Sequence, residues 1–475
     1  MNKLLRLLTI TLSLYIQTPV ESFASHAMGA ELTYTCLGGN QYQVTFKFYR
    51  DCVGIPAPDP AEIDLFSSCY PFQSFFFNST AGSPQQITQV CPTALTTCDG
   101  GAFTGIEEWI YEGIITLPGP CADWRISHSE NARNAAITTI AGAGVDPQYV
   151  YAIINNTNGI CNSSPIFNNR PVPFTCLGQQ FCYSNSAYDS EGDSLSYQLI
   201  TPMVDSVDTV EYLSPYTRSQ PMISNPAVTF SSQTGDLCML PTQPDVTVFA
   251  VLVSEYRNGI LIGQSERDVQ LTIMNCANYL PYLSGFNGSP STSTTACPNV
   301  PLNFFTASRD GDAANTTQIT WDNSVPGMSF YAVGGHRDTG FFSWTPTTAN
   351  VSITPYCFSV YVHDDACPYI GFTIQNFCIT VLPSSNAQCQ LAAVQSIPKE
   401  TLLDLFPNPA SGKINFKPTH SGKLNVYSNE GKIVFSELLP EATQKSIDVS
   451  AWAKGIYEVL LVSPSMRSKA RFIIQ

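Results

Sequence analysis

Charged side chains are scarce in this sequence of 475 residues, since only 12% of them are Asp, Glu, Lys or Arg. Basic residues are the rarer kind: 22 Lys and Arg stand against 37 Asp and Glu, for a formal net charge of −15. No basic run and no basic-aromatic stripe occurs, and an acidic chain repels a phosphate backbone. We therefore expect no nucleic acid among its partners.

The low charge does not indicate disorder, because 44% of the residues are hydrophobic and 11% are aromatic. The excess of acid is confined to the first part of the chain. Residues 401–475 hold nine basic and six acidic side chains, whereas the preceding 400 residues hold 13 and 31. At roughly 150 residues per domain, the length predicts about three domains.

Long hydrophobic runs are also missing. The apolar stretch Leu7–Ile16 is too short to span a bilayer. It follows Lys3 and Arg6 and precedes small residues near Ala24, an order that predicts a secretory signal peptide over residues 1–24 with Ser25 as the first mature residue. We expect an exported protein without a transmembrane span.

No C-x-x-C pair occurs among the 16 cysteines, which removes the common zinc and redox motifs. An even number of cysteines behind a signal peptide predicts disulfide bonds instead. Spacing does not determine the connectivity. Cys176 with Cys182, and Cys357 with Cys367 or Cys378, are close enough in sequence for local bridges.

The last 75 residues differ from the rest, because they lack cysteine and are net basic. They open with Leu-Phe-Pro-Asn-Pro at 405–409, continue with apolar residues that alternate between Gly or Asn turns, and include Asp-x-Ser-x-x-x-x-Gly-x-Tyr at 448–457. A basic and apolar tail closes the segment. This pattern predicts a small antiparallel β-sandwich.

In the order and spacing of these motifs, residues 401–475 resemble the type A C-terminal sorting domain of the bacterial type IX secretion system, found in Bacteroidota. The resemblance implies Sec export through the inner membrane and passage through the outer membrane by the type IX machinery, which would be the partner of this segment. In relatives the domain is then cut off, and the protein is attached to surface lipopolysaccharide or released. We expect an extracellular or outer-membrane surface location.

Strand-like stretches with alternating or β-branched residues fill the body, as at 42–48, 247–253 and 356–362. The sequence therefore predicts an all-β fold of tandem β-sandwiches with a small C-terminal β-sandwich. Part of the body also repeats: Thr234-Gly235 and Pro241 match Thr339-Gly340 and Pro346 at an offset of 105 residues. The later strand 251–253 corresponds to 360–362.

The predicted division is a sequence of five segments after the signal peptide: 25–173, 174–276, 277–382, a linker at 383–400, and 401–475. At about 100 residues each, the two repeated copies fit an immunoglobulin-like sandwich. They resemble the cadherin-like domains of bacterial surface proteins in their acidic and Thr-Gly turns.

Residues 25–173 do not repeat. Their start at 25–34, the stretch Tyr49–Cys52 and the later stretch Tyr111–Pro118 resemble the N-terminal region of large secreted proteins of Bacteroidota described as gliding-motility-associated or adhesin-like. That resemblance implies lineage and location, and it supplies no activity.

Acidic turns supply the candidate metal ligands, since Ca²⁺ prefers several carboxylate and carbonyl oxygens brought together by a tight turn. The predicted ligands are Asp189, Glu191 and Asp193 in the first copy and Asp310 and Asp312 in the second, with Asp364 and Asp365 as neighbours that could contribute. The alternative is that these Asp side chains cap their own backbone in Asx turns.

Signatures of catalysis are weak. The five histidines are scattered, although His336-Arg337-Asp338 and His363-Asp364-Asp365 could be drawn as fragments of a site. No nucleophile elbow or zinc-protease motif accompanies them. Glu107-Glu108 beside Trp109 is a candidate carbohydrate site, which would need a carboxylate geometry that sequence does not show.

The sequence thus predicts an exported, non-enzymatic protein that binds an unidentified surface, glycan or protein ligand. No catalytic residue is assigned, and Ca²⁺ is the candidate cofactor. The alternative is a secreted hydrolase of polysaccharide or peptide, with its site in residues 25–173.

Overall fold

A computed structural model of the chain describes residues 27–157, 159–392, 399–418, 421–439, 444–462 and 466–475. The predicted signal peptide lies outside the described residues. The chain divides into two units, one ending at Pro383 and the other starting at Ser384. Strands dominate both units, which confirms the predicted all-β class. Among the described residues, no helix is long and apolar enough to cross a membrane.

The non-repeating part of the body is a set of antiparallel strands around one core. Its strands are β1 (Ala27–Gly38), β2 (Gln41–Asp51), β3 (Ala61–Phe66), β4 (Gln73–Phe77), β5 (Gln85–Gln86), β6 (Ile106–Thr116), β7 (Trp124–Glu130), β8 (Gln148–Ile154) and β9 (Ile166–Phe167), with a 3-10 helix at Thr97–Asp99. In β3, for example, Ala61, Ile63 and Leu65 are buried and the residues between them are not, as the alternation predicts. Trp124 is fully buried there and stacks on Tyr70 at 5.3 Å between ring centroids.

The next part of the body contributes eight strands. They are β10 (Phe174–Cys176), β11 (Phe181–Ser184), β12 (Ala187–Tyr188), β13 (Ser194–Ile200), β14 (Thr229–Phe230), β15 (Asp236–Met239), β16 (Val246–Arg257) and β17 (Ile260–Met274). The longest of them, β17, has β16 along one edge and β8, β1 and β10 in succession along the other. One twelve-stranded sheet therefore contains strands from both sides of residues 173 and 174. The domain boundary at this position stays a prediction.

The rest of the first unit is a sandwich of two four-stranded sheets. Its strands are β18 (Tyr282–Leu283), β19 (Ser293–Ala296), β20 (Leu302–Arg309), β21 (Thr317–Trp321), β22 (Ser329–Val333), β23 (Thr339–Trp344), β24 (Tyr356–Asp364) and β25 (Phe372–Val381), with 3-10 helices at Phe286–Gly288 and Thr348–Asn350. The sheet orders are β18-β20-β23-β22 and β19-β25-β24-β21. Between them lies an aromatic core that includes Phe304, Phe342 and Phe358.

The strand order of the two copies is the same. The order β13-β16-β17-β10 recurs as β21-β24-β25-β19, and in both cases the last strand pairs in parallel. The order β11-β15-β14 likewise recurs as β20-β23-β22. Residues 251–253 lie on β16 and residues 360–362 lie on β24. The two segments that correspond in sequence therefore occupy the same position in the strand order of each copy.

Disulfide bonds hold the first unit, and no described cysteine is free. The bonds defined within it are Cys36–Cys161, Cys52–Cys98, Cys69–Cys121, Cys91–Cys367, Cys176–Cys276, Cys182–Cys238 and Cys357–Cys378.

The predicted local bridge between Cys176 and Cys182 is wrong, because β10 and β11 belong to different sheets. Cys182 instead faces Cys238 directly across β11 and β15. Of the two predicted partners of Cys357, the structure selects Cys378, which is opposite to it across β24 and β25.

The second unit contains a short helix and a small sandwich. Its elements are α1 (Ala387–Ala392), β26 (Lys399–Leu402), β27 (Leu405–Phe406), β28 (Lys413–Phe416), β29 (Gly422–Ser428), β30 (Ile433–Leu439), β31 (Lys445–Asp448), β32 (Gly455–Val462) and β33 (Met466–Ile474). The sheets are ordered β26-β33-β32-β29-β30 and β27-β28-β31 around buried residues such as Phe416, Val426 and Phe472. The predicted C-terminal β-sandwich is therefore present.

Strand β17 carries three consecutive charged residues, Glu266, Arg267 and Asp268, and all three are fully buried. The Arg267 Nε donates to Glu31 Oε2 at 2.6 Å, and its guanidinium lies 3.9 Å from the centroid of the Phe167 ring. On the opposite face of the strand, Asp268 accepts two hydrogen bonds from the side chain of Arg133, at 2.9 and 2.6 Å. These ion pairs bind β17 to segments that are remote in sequence.

We predict that Arg267→Met lowers the free energy of unfolding by roughly 3–5 kcal/mol, because it leaves Glu31 as a buried charge without its main partner. Urea denaturation of the full chain with intact disulfides measures the effect. Arg218→Met removes an exposed arginine and should change stability by about 0.5 kcal/mol or less. Equal stabilities of the two variants would contradict the prediction.

Candidate functional site

The acidic turn of the first copy joins β12 to β13. Asp189 Oδ1 accepts a hydrogen bond from the backbone N–H of Asp193 at 2.7 Å, so this side chain caps its own turn, although four residues on rather than the two of an Asx turn. Gly192 has a φ of +80°, a left-handed conformation that glycine adopts without steric cost. The turn therefore brings two carboxyl groups, those of Asp189 and Asp193, to one side of the chain.

A third carboxyl group, that of Glu255, reaches the same place from β16. Ligand oxygens of Asp189, Asp193 and Glu255 all lie within 4.8 Å of one another. We call these three residues the carboxylate cluster. Glu255 is 0% exposed and Asp189 is 6% exposed, so two of the three groups are buried.

The sequence prediction did not include Glu255. The repeat could have revealed it. Residues 251–253 correspond to 360–362, and the same offset aligns Glu255 with Asp364, one of the acidic residues named above as possible contributors to a metal site. Gly263 on β17 makes room for it, because a Cβ there would lie 2.7 Å from Glu255 Oε2.

Two polar side chains line the cluster. Asn162 Nδ2 donates to Glu255 Oε2 at 2.7 Å, and Asn162 Oδ1 accepts from Arg257 Nη2 at 2.8 Å. Arg257 also forms an ion pair with Asp193, with Nε at 2.8 Å from Oδ1. Asn162 precedes the first copy in sequence, so the cluster joins two parts of the body.

Burial dominates the electrostatics of the cluster. Burial, followed by the nearby charge of Asp189, raises the pKa of the Glu255 carboxyl to about 9, against the hydrogen bond from Asn162 that favours the charged form. Burial also raises the pKa of Asp189, although the Asp193 N–H opposes it. The cluster thus holds a proton on Glu255 at neutral pH when nothing else compensates the charge.

The predicted ligand Glu191 lies outside the carboxylate cluster. Its Oε1 accepts from the Ser163 N–H at 3.1 Å, and its Oε2 accepts from the Ser190 hydroxyl at 2.6 Å. One oxygen therefore fastens the exposed turn to Ser163, and the other is engaged within the turn.

The second copy arranges its acids differently. Asp310 Oδ1 accepts from the Asp312 N–H and Asp312 Oδ2 accepts from the Tyr279 N–H, both at 2.7 Å. Asp364 Oδ2 accepts from Asn278 Nδ2 at 2.6 Å, an arrangement like that of Glu255 and Asn162. Within the described part of the chain, Asp310 and Asp312 do not join a group of three close ligand atoms.

Asp365 also serves the backbone, because its Oδ1 accepts from the Thr316 N–H at 2.8 Å. Side chains of the two histidine fragments also contact backbone groups. His336 Nε2 lies 2.7 Å from the Ala313 carbonyl oxygen, and Asp338 Oδ2 accepts from the Ile319 N–H at 3.0 Å. His363 Nδ1 lies 3.1 Å from the carbonyl oxygen of Asp364.

Glu107 and Glu108 do not form a carboxylate pair, because consecutive residues of β6 point to opposite faces of the sheet. Glu107 forms an ion pair with Arg50 and accepts from Trp109 Nε1 at 2.7 Å. Glu108 is buried and lies 2.8 Å from the Arg170 guanidinium. Hydrolysis of a glycosidic bond needs two carboxyl groups that flank that bond, and Glu107 and Glu108 do not have this arrangement.

Residues 404–475 match the family described as Secretion system C-terminal sorting domain. No curated protein matches the chain. The chain therefore carries a secretion-system sorting domain behind its β-rich body, and this domain implies export to the cell surface or the medium.

Three solved structures illustrate the similarities of the chain as a whole. The N-terminal four Ig domains of Dscam1 isoform 4.44 are 10% identical over 78% of this chain and 87% of that one, with a TM-score of 0.18. Immunoglobulin domains 1–4 of Sidekick-1 are 9% identical over 89% and 96%, with a TM-score of 0.16. Cadherin-like domains 1 to 4 of zebrafish RET are 10% identical over 65% and 72%, also with 0.16. TM-scores this low support no inference about the body.

We predict that Glu255→Gln weakens the pH dependence of stability. The Glu255 pKa is about 9 in the folded chain and about 4.3 in an unfolded chain, so the folded state binds more protons between these values. Its stabilising contribution is complete below the lower value and is lost as pH rises through the upper one. Gln cannot titrate, so the variant should lose less stability between about pH 6 and pH 9 than the wild type.

Urea denaturation in EDTA at several pH values measures this difference. Asp365→Asn is the control, because hydrogen bonds from Thr316 lower the pKa of Asp365 and it does not titrate in this window. Parallel stability curves for wild type and Glu255→Gln would refute the assignment.

Proposed function

We propose that this chain is an exported binding protein without catalytic activity. In this proposal, residues 27–383 bind a surface-associated ligand, and the type IX machinery delivers them by recognising the sorting domain at 404–475. The match of the sorting domain carries the proposal of export. The surface of the second copy carries the proposal of binding.

Hydrogen bonds in the sorting domain join its two characteristic ends. Asn408, from the Pro-Asn-Pro opening, donates from Nδ2 to the Arg471 carbonyl oxygen at 2.9 Å and accepts from the Ile473 N–H at 3.0 Å. The Ala410 N–H donates to the Ile473 carbonyl oxygen at 2.7 Å. The opening motif and the tail therefore form one surface, which supports their joint recognition.

The disulfide bonds of the body also suit export, because such bonds persist in oxidising compartments. Cys91–Cys367 spans 276 residues and Cys36–Cys161 spans 125. Bonds over such long loops restrict the unfolded chain and so favour a rigid body outside the cell.

A row of aromatic rings crosses the outer face of the sheet β20-β23-β22. Tyr331, Phe341 and Phe305 are opposite one another on three adjacent strands. The Tyr331 and Phe341 rings stack at 5.1 Å with an angle of 13°, and Phe305 follows at 6.1 Å. Tyr331 is 63% exposed and the two Phe residues are half-buried, so the row presents apolar ring surface to solvent.

Rings of this kind stack well on the C–H faces of sugars, and Tyr adds a polar hydroxyl. We therefore place the ligand contact of the body on this aromatic row and assign it to glycan chains. The hydrolase alternative gains no support from Glu107 and Glu108, which lie on opposite faces of β6.

Deleting residues 405–475 should leave the protein in the periplasm of the producing bacterium, because the recognised surface is then absent. Immunoblots of periplasmic, surface and medium fractions measure the change. As a test of sufficiency, residues 404–475 fused to a Sec-exported reporter should carry it outside. Unchanged surface display of the deleted chain would contradict the proposal.

The full chain should be retained on an insoluble polysaccharide from a panel of cellulose, chitin and peptidoglycan, and Tyr331→Ser should reduce that retention about tenfold or more, as expected when a stacking aromatic contact is lost. Ile353→Ser is the matched control, because Ile353 is apolar and 98% exposed in the same copy but lies outside the row. Equal retention of both variants would reject the aromatic row. Release of new reducing ends from the polysaccharide would favour the hydrolase.

A further inference from the structure

Two oxygens of the carboxylate cluster receive no hydrogen bond from an N–H or hydroxyl group. Glu255 Oε1 and Asp189 Oδ2 are buried, and no such donor to either lies among the described residues. A buried carboxylate oxygen without a donor is costly, and native proteins resolve such cases with a proton, a water or an ion. The same oxygens belong to groups whose ligand atoms converge within 4.8 Å.

We propose that Asp189, Asp193 and Glu255 bind one hard divalent cation of the Ca²⁺ type, with Asn162 beside it. When fully ionised, the three carboxylates carry three negative charges, and Arg257 supplies one positive charge. The guanidinium of Arg257 lies against Asp193 and Asn162 Oδ1 rather than between Asp189 and Glu255. One divalent cation would balance the remaining two charges.

The type of donor selects the cation. All three groups offer carboxylate oxygen, a set that suits Ca²⁺ or Mg²⁺ rather than Zn²⁺. Ca²⁺ accepts irregular shells of six to eight oxygens, with water filling the open positions, whereas Mg²⁺ demands near-ideal octahedral geometry. An acidic turn that supplies two ligands and a strand end that supplies the third favour the more tolerant ion.

The cluster lies where three segments meet, so a bound cation would tie them together. Glu255 belongs to β16 and Asp189 to the acidic turn, while Asn162 precedes Ser163 and Ser164. Ser164 is bonded to β1, because its Oγ accepts from the Tyr34 N–H at 2.8 Å. The cation would therefore stabilise the attachment of the N-terminal part to the first copy.

The second copy provides an internal control. Its equivalent of Glu255, Asp364, accepts hydrogen bonds at Oδ1 from the Ala366 and Gly371 N–H groups, at 3.0 and 2.7 Å, and at Oδ2 from Asn278. Both oxygens of Asp364 are thus engaged by donors. Asp310→Asn removes an acidic-turn carboxylate there without touching the carboxylate cluster.

Calorimetric titration of the EDTA-stripped full chain with Ca²⁺ alone tests the proposal, together with its melting temperature in Ca²⁺ and in EDTA. The wild type and Asp310→Asn should bind saturably and melt several degrees higher in Ca²⁺, by mass action on the folded state. Glu255→Gln, which is isosteric and which circular dichroism should show to be folded, should lose both effects. A parallel titration with Mg²⁺ should give weaker binding.

The stoichiometry of the titration separates this site from adventitious surface binding, because the carboxylate cluster should take up one Ca²⁺ per chain. No heat and no melting shift in the wild type would overturn the proposal. Binding that persists unchanged in Glu255→Gln would also overturn it.

Discussion

Strand β17 is the element on which the rest of the first unit depends, because it is covered on both faces and paired along both edges. One face contributes Val269 and Leu271 to the core of the first copy, while the opposite face holds Asp268 against Arg133 and Gln148 of the N-terminal part. A strand in that position has no solvent-facing side, so its polar groups need partners inside the protein. The pair of Arg267 with Glu31 and that of Asp268 with Arg133 meet this need from opposite faces. Separating the N-terminal part from the first copy would therefore expose apolar surface and break two buried ion pairs together.

The same constraint produces the carboxylate cluster. Strand β16 must run beside β17 along its whole length, so its final residues extend past the core toward the acidic turn. Glu255 is brought into this position by the sheet, and the turn is held by the hydrogen bond from the Asp193 N–H to Asp189. The local capping role and the proposed cation role of Asp189 are therefore compatible, because Oδ1 serves the backbone while Oδ2 remains available. Sequence patterns alone treat these roles as alternatives, since they do not distinguish the two oxygens of one carboxylate.

Whether a feature could be predicted from the sequence depends on how far apart along the chain the interacting residues lie. Alternation and turn chemistry act over a few residues, so the β class, the C-terminal sandwich and the acidic turn at 189–193 could be predicted. Disulfide pairing depends on which strands become neighbours: Cys182 lies opposite Cys238 only because β11 pairs with β15. Glu255 is 66 residues from Asp189 and lies in a strand that otherwise looks like core. Its role becomes visible only when the two copies are aligned or the sheet is assembled.

Export gives these features a common setting. The sorting domain matches from residue 404, beyond the last cysteine at 389, so its stability rests on packing and on contacts such as those of Asn408 rather than on oxidation. The body, in contrast, is held by disulfides that form only after it leaves the reducing cytosol. Outside the cell, Ca²⁺-binding modules work with dissociation constants of about 10⁻⁴–10⁻³ M, so a site with three protein carboxylates and open positions for water needs no high affinity there. The cation would therefore strengthen the junction between the N-terminal part and the first copy outside the cell, which is also where the aromatic row would meet its ligand.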